Sequence, residues 1–199
     1  EASGDAFDAA KLARRFREDD ARTLDRRSLS KWARALQDTL LVWTLPRYEA
    51  SAARRLSARQ HPKLYAGDHG VVMAFASLPD PMGDPSTRGR AFEAMVYRHL
   101  REVARNTSST VHFFRSVERP KDEEIDFVIT GPELSAVVEV QHNPIPDRGK
   151  LGRLKRLGDR VGARRRALVY GGFKLGRDGD VEIVPIRDFV LDPERYVLD

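Results

Sequence analysis

The chain has 199 residues, a net charge of +5 and an isoelectric point near 9.7. It has no cysteine, which excludes disulfides and thiolate metal sites, and no run of about 18 apolar residues, which excludes a hydrophobic helical span. The basic surplus suits a polyanionic partner such as nucleic acid, although an Arg- and Ala-rich composition also produces it without any partner. The length allows one large domain or two small ones, with a core that needs no staples. The first residue is Glu1 rather than Met and no signal peptide is visible, so a piece of a longer, cytoplasmic protein is expected.

In chain order, residues 5 to 38 read as helical, with Phe7, Leu12 and Phe16 marking an apolar stripe and a break between Arg22 and Arg27. Ser28 is a candidate N-cap for a second helix that runs through Trp32 and Leu36 to Thr39. Leu40 to Leu45 reads as a strand stopped by Pro46. A polar, Arg-rich segment follows from Arg47 to Gln60, and then a short strand, Lys63 to Ala66, ends in Gly67-Asp68-His69-Gly70. Helices followed by a two-stranded ribbon suggest a winged-helix-like unit over residues 1–78. Its second helix would enter a DNA groove or, with no base-reading cluster on it, serve as a packing adaptor. Trp32 and Trp43 are expected in its core.

Residues 78 to 88 hold three prolines and a glycine and read as a linker, so the boundary falls at 79–88 and a second unit covers 89–199. A helix over Arg88–Arg105 carries Phe92, Met95, Val96, Leu100 and Val103 at helical spacing, with Glu93 beside that stripe. Strands are expected at Val111–Val117, Glu124–Ile129 and Ala136–Gln141, the last two forming a hairpin through Thr130–Ser135. A loop with two prolines covers 142–149. The helix after it, Gly149–Val161, should turn Leu151, Leu154 and Leu157 inward and Lys150, Arg153, Lys155, Arg156 and Arg160 outward. That basic face is an ordinary solvated surface or, given its position, a contact for phosphates through Lys150, Arg153 and Arg156. Ala167–Tyr170 and Val181–Ile186 are further strands, separated by a tight turn at Asp178-Gly179, and a helical turn at Ile186–Leu191 closes the chain. The expected class is α/β, a mixed central sheet flanked by helices in the order α-β-β-β-α-β-β.

The hairpin carries the chemistry. Asp126 and Glu139 are carboxylates inside otherwise apolar strands, which is costly unless something pairs with them. A divalent metal ion is one such partner; solvent or an arginine at a strand end is another. With Glu93 on the preceding helix the acids make a trio in the order Glu, Asp, Glu. Such a trio can hold Mg²⁺ for phosphodiester hydrolysis, with a basic side chain two residues beyond the last acid helping the attack. The five histidines, His61, His69, His99, His112 and His142, have no metal-ligand spacing. Asp68 reads as a turn-stabilising residue.

These residues resemble the PD-(D/E)XK nuclease superfamily, and more closely a C-terminal domain of unknown function found in bacterial and archaeal AAA-type ATPases. The resemblance rests on Lys63-Leu64-Tyr65 with Asp68 and Gly70, on Gly89-x-x-Phe92-Glu93, on Phe113-Phe114-Arg115, on Glu124 to Val128 and on Glu139-Val140, and it covers the chain from about residue 28 onward. It implies a restriction-endonuclease-like core, with Glu93, Asp126 and Glu139 as catalytic and Mg²⁺-holding residues and Gln141 at the position of the basic residue. It also implies an N-terminal ATPase domain as partner and DNA as substrate. Gln141 departs from the lysine of the pattern: it can hydrogen-bond a water or a phosphate but brings no charge. Lys150 or Lys121 could supply that charge. The implied function is therefore DNA binding with Mg²⁺-dependent cleavage. The alternative is an inactive nuclease-fold module that binds nucleic acid or protein and regulates the ATPase. No phosphate-binding Gly-x-x-x-x-Gly-Lys loop is present, so no ATP site is expected in this chain.

Overall fold

A computed structural model describes residues 13–14, 25–49, 62–76, 83–116, 123–132 and 135–198. Phe7, Phe16, His61 and Lys121 lie outside them, as do residues 79–82 of the expected linker. The first full helix, α1 (Arg26–Asp38), is capped by Asp25 rather than Ser28: the Asp25 carboxylate accepts the amides of Arg27 and Ser28 at 2.7 and 2.8 Å. It buries Leu29 and Ala33, one turn apart, and leaves Trp32 half exposed, so this tryptophan is not the core residue expected. Leu40 turns the chain with φ 60°, and the strand begins only at Val42.

That strand, β1 (Val42–Leu45), pairs antiparallel with β2 (Lys63–Ala66). Along β2 the alternation of a pleated strand turns Lys63 and Tyr65 inward together. Leu45 and Tyr65 are fully buried and belong to the same apolar core as the large sheet, with Trp43 packed against it. Just past β1, the Tyr48 amide donates to the Phe113 carbonyl and the Phe113 amide to the Pro46 carbonyl, so the exit from β1 lies along the edge of the large sheet. A helix that the sequence pattern did not show follows, α2 (His69–Ala76). Its residues are apolar without a period, and Asp68 holds its start by accepting the amides of Gly70 and Val71.

The long helix α3 (Pro85–Asn106) begins inside the stretch read as linker. Pro85 takes the first helical position, where its missing N–H costs nothing, and Asp84 caps the Thr87 amide at 2.7 Å. Ala91, Ala94, Val96, Tyr97, Leu100, Val103 and Ala104 form its buried face, while Met95 is exposed. The six-stranded sheet that it covers has the order β3 (Thr110–Arg115), β4 (Glu124–Thr130), β5 (Ser135–Gln141), β6 (Arg165–Tyr170), β8 (Val181–Pro185), β7 (Gly176–Asp178). β3, β4 and β5 are an antiparallel meander, β5, β6 and β8 run parallel, and β7 returns antiparallel at the far edge. The three-residue β7 is exposed and has no apolar signature to mark it as a strand.

Helices cover both faces of the sheet. On one side α3, α5 (Ile186–Leu191) and α6 (Glu194–Val197) pack on Phe127, Ile129, Val138, Val140, Ala167 and Val169. On the other, Leu151, Leu154 and Leu157 of α4 (Arg148–Val161) pack on Val128, Val137 and Leu168. α4 ends at Gly162 with φ 70°, the left-handed conformation that glycine takes without a Cβ penalty. The class is therefore mixed α/β, with a two-stranded and a six-stranded sheet flanked by helices. Among the described residues no helix is long and apolar enough to cross a membrane.

Candidate functional site

The site forms where β4 and β5 part. Their ladder runs from Thr130↔Ser135 to Phe127↔Val138 and goes no further. Beyond it the two predicted acids take over the ladder's work. The Val140 amide donates to Asp126 Oδ2 at 2.9 Å, and the Asp126 amide lies 3.4 Å from Glu139 Oε2. Backbone donors that have lost their strand partner must be satisfied in some way; here side-chain carboxylates do it. A register shift on the other side of β4 helps to aim Asp126. His112 pairs with Val128 and Phe114 with Ile125, so Asp126 and Phe127 together stand opposite the single residue Phe113. This is bulge geometry, which redirects side chains next to a ladder. Its signature is that Ile125 packs in the α4 layer while Phe127, two residues on, packs in the α3 layer.

Glu139 faces α4 and its side chain is 3% exposed. Lys150 Nζ sits 2.9 Å from its Oε1 and 2.7 Å from the Val140 carbonyl, and the Arg153 guanidinium binds the same Oε1. Asp147 places Lys150 by capping α4 and accepting the Lys150 amide at 2.9 Å. Thus Lys150 and Arg153 point at the sheet rather than outward. The reason is that a buried carboxylate gains more from two cations than those cations gain from water they can partly keep, being 29% and 25% exposed.

Glu93 lies on the α3 side and meets a second set of partners. Lys63 Nζ is 3.2 Å from Glu93 Oε1 and 2.7 Å from Glu124 Oε1. The Tyr65 hydroxyl donates to the same Glu93 oxygen. Arg115 Nε donates to Glu124 Oε2 at 2.7 Å. Lys63 is 3% exposed and its ammonium also lies 5.4 Å from the centre of the Phe113 ring.

Electrostatics joins the two sets through Asp126. Burial pushes Glu93 up to about 7, with the Asp126 charge adding to the rise and Lys63 and Tyr65 working against it. Burial and Asp126 likewise raise Glu139, against Lys150 and Arg153. Burial disfavours the Lys63 ammonium, yet Glu93, Asp126 and Glu124 outweigh it and hold the group above the usual lysine range. Lys150 is raised in the same way, Glu139 and Asp126 overcoming its burial. Four carboxylates, Glu93, Glu124, Asp126 and Glu139, thus share a region with four cations, Lys63, Arg115, Lys150 and Arg153.

The structure gathers Glu93, Asp126 and Glu139 around one divergence of strands but not around one point. Among the described residues no group of three or more His, Asp or Glu side chains is arranged to hold a metal ion. Glu93 Oε1 is held by Lys63 and Tyr65 and Glu139 Oε1 by Lys150 and Arg153, while Asp126 Oδ2 accepts the Val140 amide. This donor set does not fit a shared Mg²⁺ as it stands. Gln141 is turned away from the acids and is 7% exposed. Its amide nitrogen donates to the Asn143 and Ile145 carbonyls at 3.2 and 2.6 Å, and its oxygen accepts the Asp147 amide at 3.0 Å, so it pins the loop leading into α4. That loop is tight: a Cβ on Gly171 would stand 2.0 Å from the His142 carbonyl oxygen, which requires glycine there. Arg156 reaches back to Glu123 at 2.8 Å and is half exposed.

Lys63, Tyr65 and Glu124 are the members of the site that the acid pattern did not single out. A lysine and a tyrosine two apart in a strand share a face, and a lysine on a buried face needs an acid. That signal was present, but nothing in the spacing named Glu93 as its partner. Compared with known proteins, residues 88–189 match the family model described as Domain of unknown function (DUF4143), known as a C-terminal domain of AAA-ATPase-type proteins. No curated protein and no solved structure matches the chain. Lys63 and Tyr65 lie outside the matched residues, and all four acids lie within them.

Proposed function

We propose that this chain, which belongs to the DUF4143 family, is a nuclease-like module that binds DNA without cutting it and serves an attached ATPase. The α3-β3-β4-β5-α4-β6 order, with acids on α3, β4 and β5, is the nuclease-like part of the reading. One observation carries the non-cleaving part: two of the three acids that a catalytic metal would use are already paired with cations of the same chain, at Lys63–Glu93 and at Lys150–Glu139. DNA binding is supported by the basic balance of the chain and by α1. There Arg27, Lys31 and Arg34 fall on one helical face, are exposed, and line an open groove with Ser30. Backbone phosphates are the partner that such a face suits.

A second reading is favoured by Lys150. Its ammonium stands on Glu139 and beside Val140, where it brings the charge that Gln141 lacks. In that reading Lys150 turns to the scissile phosphate once Mg²⁺ is present, and the module is a nuclease. One experiment separates the two. Supercoiled plasmid is incubated with the protein and Mg²⁺ or Mn²⁺, and binding of a labelled duplex is followed against salt. The proposal expects binding that weakens steeply with salt and no nicking. Metal-dependent nicking that disappears in Asp126→Asn overturns it and establishes the nuclease.

A further inference from the structure

α1 has more apolar surface than its packing uses. Leu29 and Ala33 hold it against the fold, and both are buried. Trp32 and Leu36, one turn apart on the adjoining flank, are 50% and 42% exposed, and the turn that follows shows Leu40 and Leu41 to solvent as well. That turn is fixed: the Leu41 amide donates to the Leu36 carbonyl at 3.0 Å, and the Gly67 amide to the Leu41 carbonyl at 2.8 Å. Leu40 stands in it at φ 60° and is 66% exposed. Glycine or asparagine is the ordinary left-handed residue after a helix. A leucine there costs strain, and one so exposed recovers little of it by packing. An apolar side chain held in water at a cost points to a ligand outside the fold.

The other solvent flank of α1 carries charge. Arg27, Lys31 and Arg34 line the open groove there. Lys31 is the cation nearest to Trp32, its neighbour in the chain and about 100° from it around the helix. A row of cations with an aromatic ring beside it is the surface that holds a single strand, phosphates on the cations and a base face on the ring. A duplex offers the same phosphates but keeps its base faces inside the stack. Base edges have no reader on this helix: Gln37 is the one amide side chain of α1, and its Nε2 donates to the Ala33 carbonyl at 3.1 Å. The other tryptophan is already engaged, with the Arg101 guanidinium 4.2 Å from the Trp43 ring centre and Tyr97 meeting that ring edge-on.

We propose that α1 binds an unpaired DNA strand without regard to sequence, one base stacking on Trp32 and the phosphates following Lys31, Arg34 and Arg27. Leu36 and Leu40 extend the apolar surface beyond the ring. The inference rests on the reading of the chain as a DNA-binding module and narrows its preferred ligand to the single strand.

The chain has two tryptophans, so their emission reads the contact directly. The full chain is titrated at low salt with a labelled dT oligonucleotide and with its blunt duplex with dA, following anisotropy and tryptophan emission together. Wild type is expected to bind the strand more tightly than the duplex and to lose emission as it binds. Trp32→Phe, which keeps a ring, is expected to bind with little change and to show no quenching, since only Trp43 remains. Trp32→Leu, which keeps apolar bulk without the ring, is expected to bind the strand more than about fivefold more weakly and the duplex as wild type does. Quenching that persists in Trp32→Phe overturns the proposal, as does a duplex bound as tightly as the strand. So does unchanged strand affinity in a folded Trp32→Leu, the result expected if the apolar flank serves a protein partner. If Trp32→Leu does not fold by circular dichroism, the emission of wild type against Trp32→Phe decides alone. The parent reading fails separately: no binding of either form removes its DNA part along with this inference, whereas a duplex bound as well as the strand leaves it standing. Metal-dependent nicking removes only its non-cleaving part, and quenching through Trp32 still stands.

Discussion

The two sides of the strand divergence solve one problem in two ways. On the α4 side the partners of Glu139 come from 11 and 14 residues further along the chain, and they are a quarter or more exposed. On the α3 side the partners of Glu93 come from 30 and 28 residues earlier, from a separate two-stranded sheet, and they are almost wholly buried. The first arrangement is local and wet: its cations can turn to water if the acid is lost. The second is long-range and its Lys63 and Tyr65 are dry, with no water to turn to, although Glu93 and Glu124 stay 18% and 22% exposed. Burial, more than the number of ion pairs, should therefore decide which side matters for the fold.

The comparison is broken most forcefully at Lys63. Lys63→Met leaves Glu93 and Glu124 facing each other without their shared cation, and removing one member of a buried pair costs about 3–5 kcal/mol. Lys150→Met leaves Arg153 on Glu139 and should cost clearly less. Urea unfolding of the two variants checks the ranking, and equal losses would remove the distinction between a dry and a wet side. A smaller effect is expected for Glu139→Gln, about 1.5–3 kcal/mol, the range for hydrogen bonds to a charged group, because Lys150 and Arg153 regain water. Tyr65→Phe keeps the ring in the core and loses only the hydroxyl on Glu93, for about 1–2 kcal/mol by the same urea melts.

A pH series sharpens the comparison further. Glu93 is raised to about 7 in the folded chain, above its ordinary value of 4.5. The folded state therefore holds the proton more tightly than the unfolded state between those values. The stability this provides is full below about pH 4.5 and is lost as the pH rises through about 7. Wild type should lose stability from pH 5 to 8 more steeply than Glu93→Gln, measured by melting temperature. Parallel slopes would remove Glu93 as the titrating group. The smallest effect belongs to the exposed Glu102–Arg105 pair on α3, where Glu102→Ala should cost less than about 0.5 kcal/mol.

How much of this the sequence carried depends on the range of each interaction. The β4–β5 hairpin was legible because two β-branched runs flank turn residues, and with it the neighbourhood of Asp126 and Glu139. The leucine face of α4 was legible from its period. The direction of Lys150 and Arg153 was not, since a helical wheel separates apolar from charged positions but does not know that the sheet beneath holds a carboxylate. The resemblance implies a site role for Gln141, whereas the loop 142–147 claims both ends of its amide. The bulge at Asp126 also escaped, because it breaks the strict alternation on which strand reading rests. Nor could the start of α3 be placed: Asp84 and Pro85 are linker residues by composition and a cap with its first helical residue by geometry. The Lys63–Glu93 link is a tertiary fact, joining two short motifs that are each unremarkable alone.

The central claim is that the acids of the divergence are balanced by the chain's own cations and leave no place for a shared metal. The most direct test is a titration of Mn²⁺ into the wild-type protein, with Asp126→Asn as reference, followed by paramagnetic broadening of amide resonances. The account predicts no site-specific broadening around Asp126, Glu139 and Glu93, and no difference between the two proteins. Broadening centred on those residues in wild type, and absent from Asp126→Asn, would contradict it and place a metal where Lys63 and Lys150 now stand.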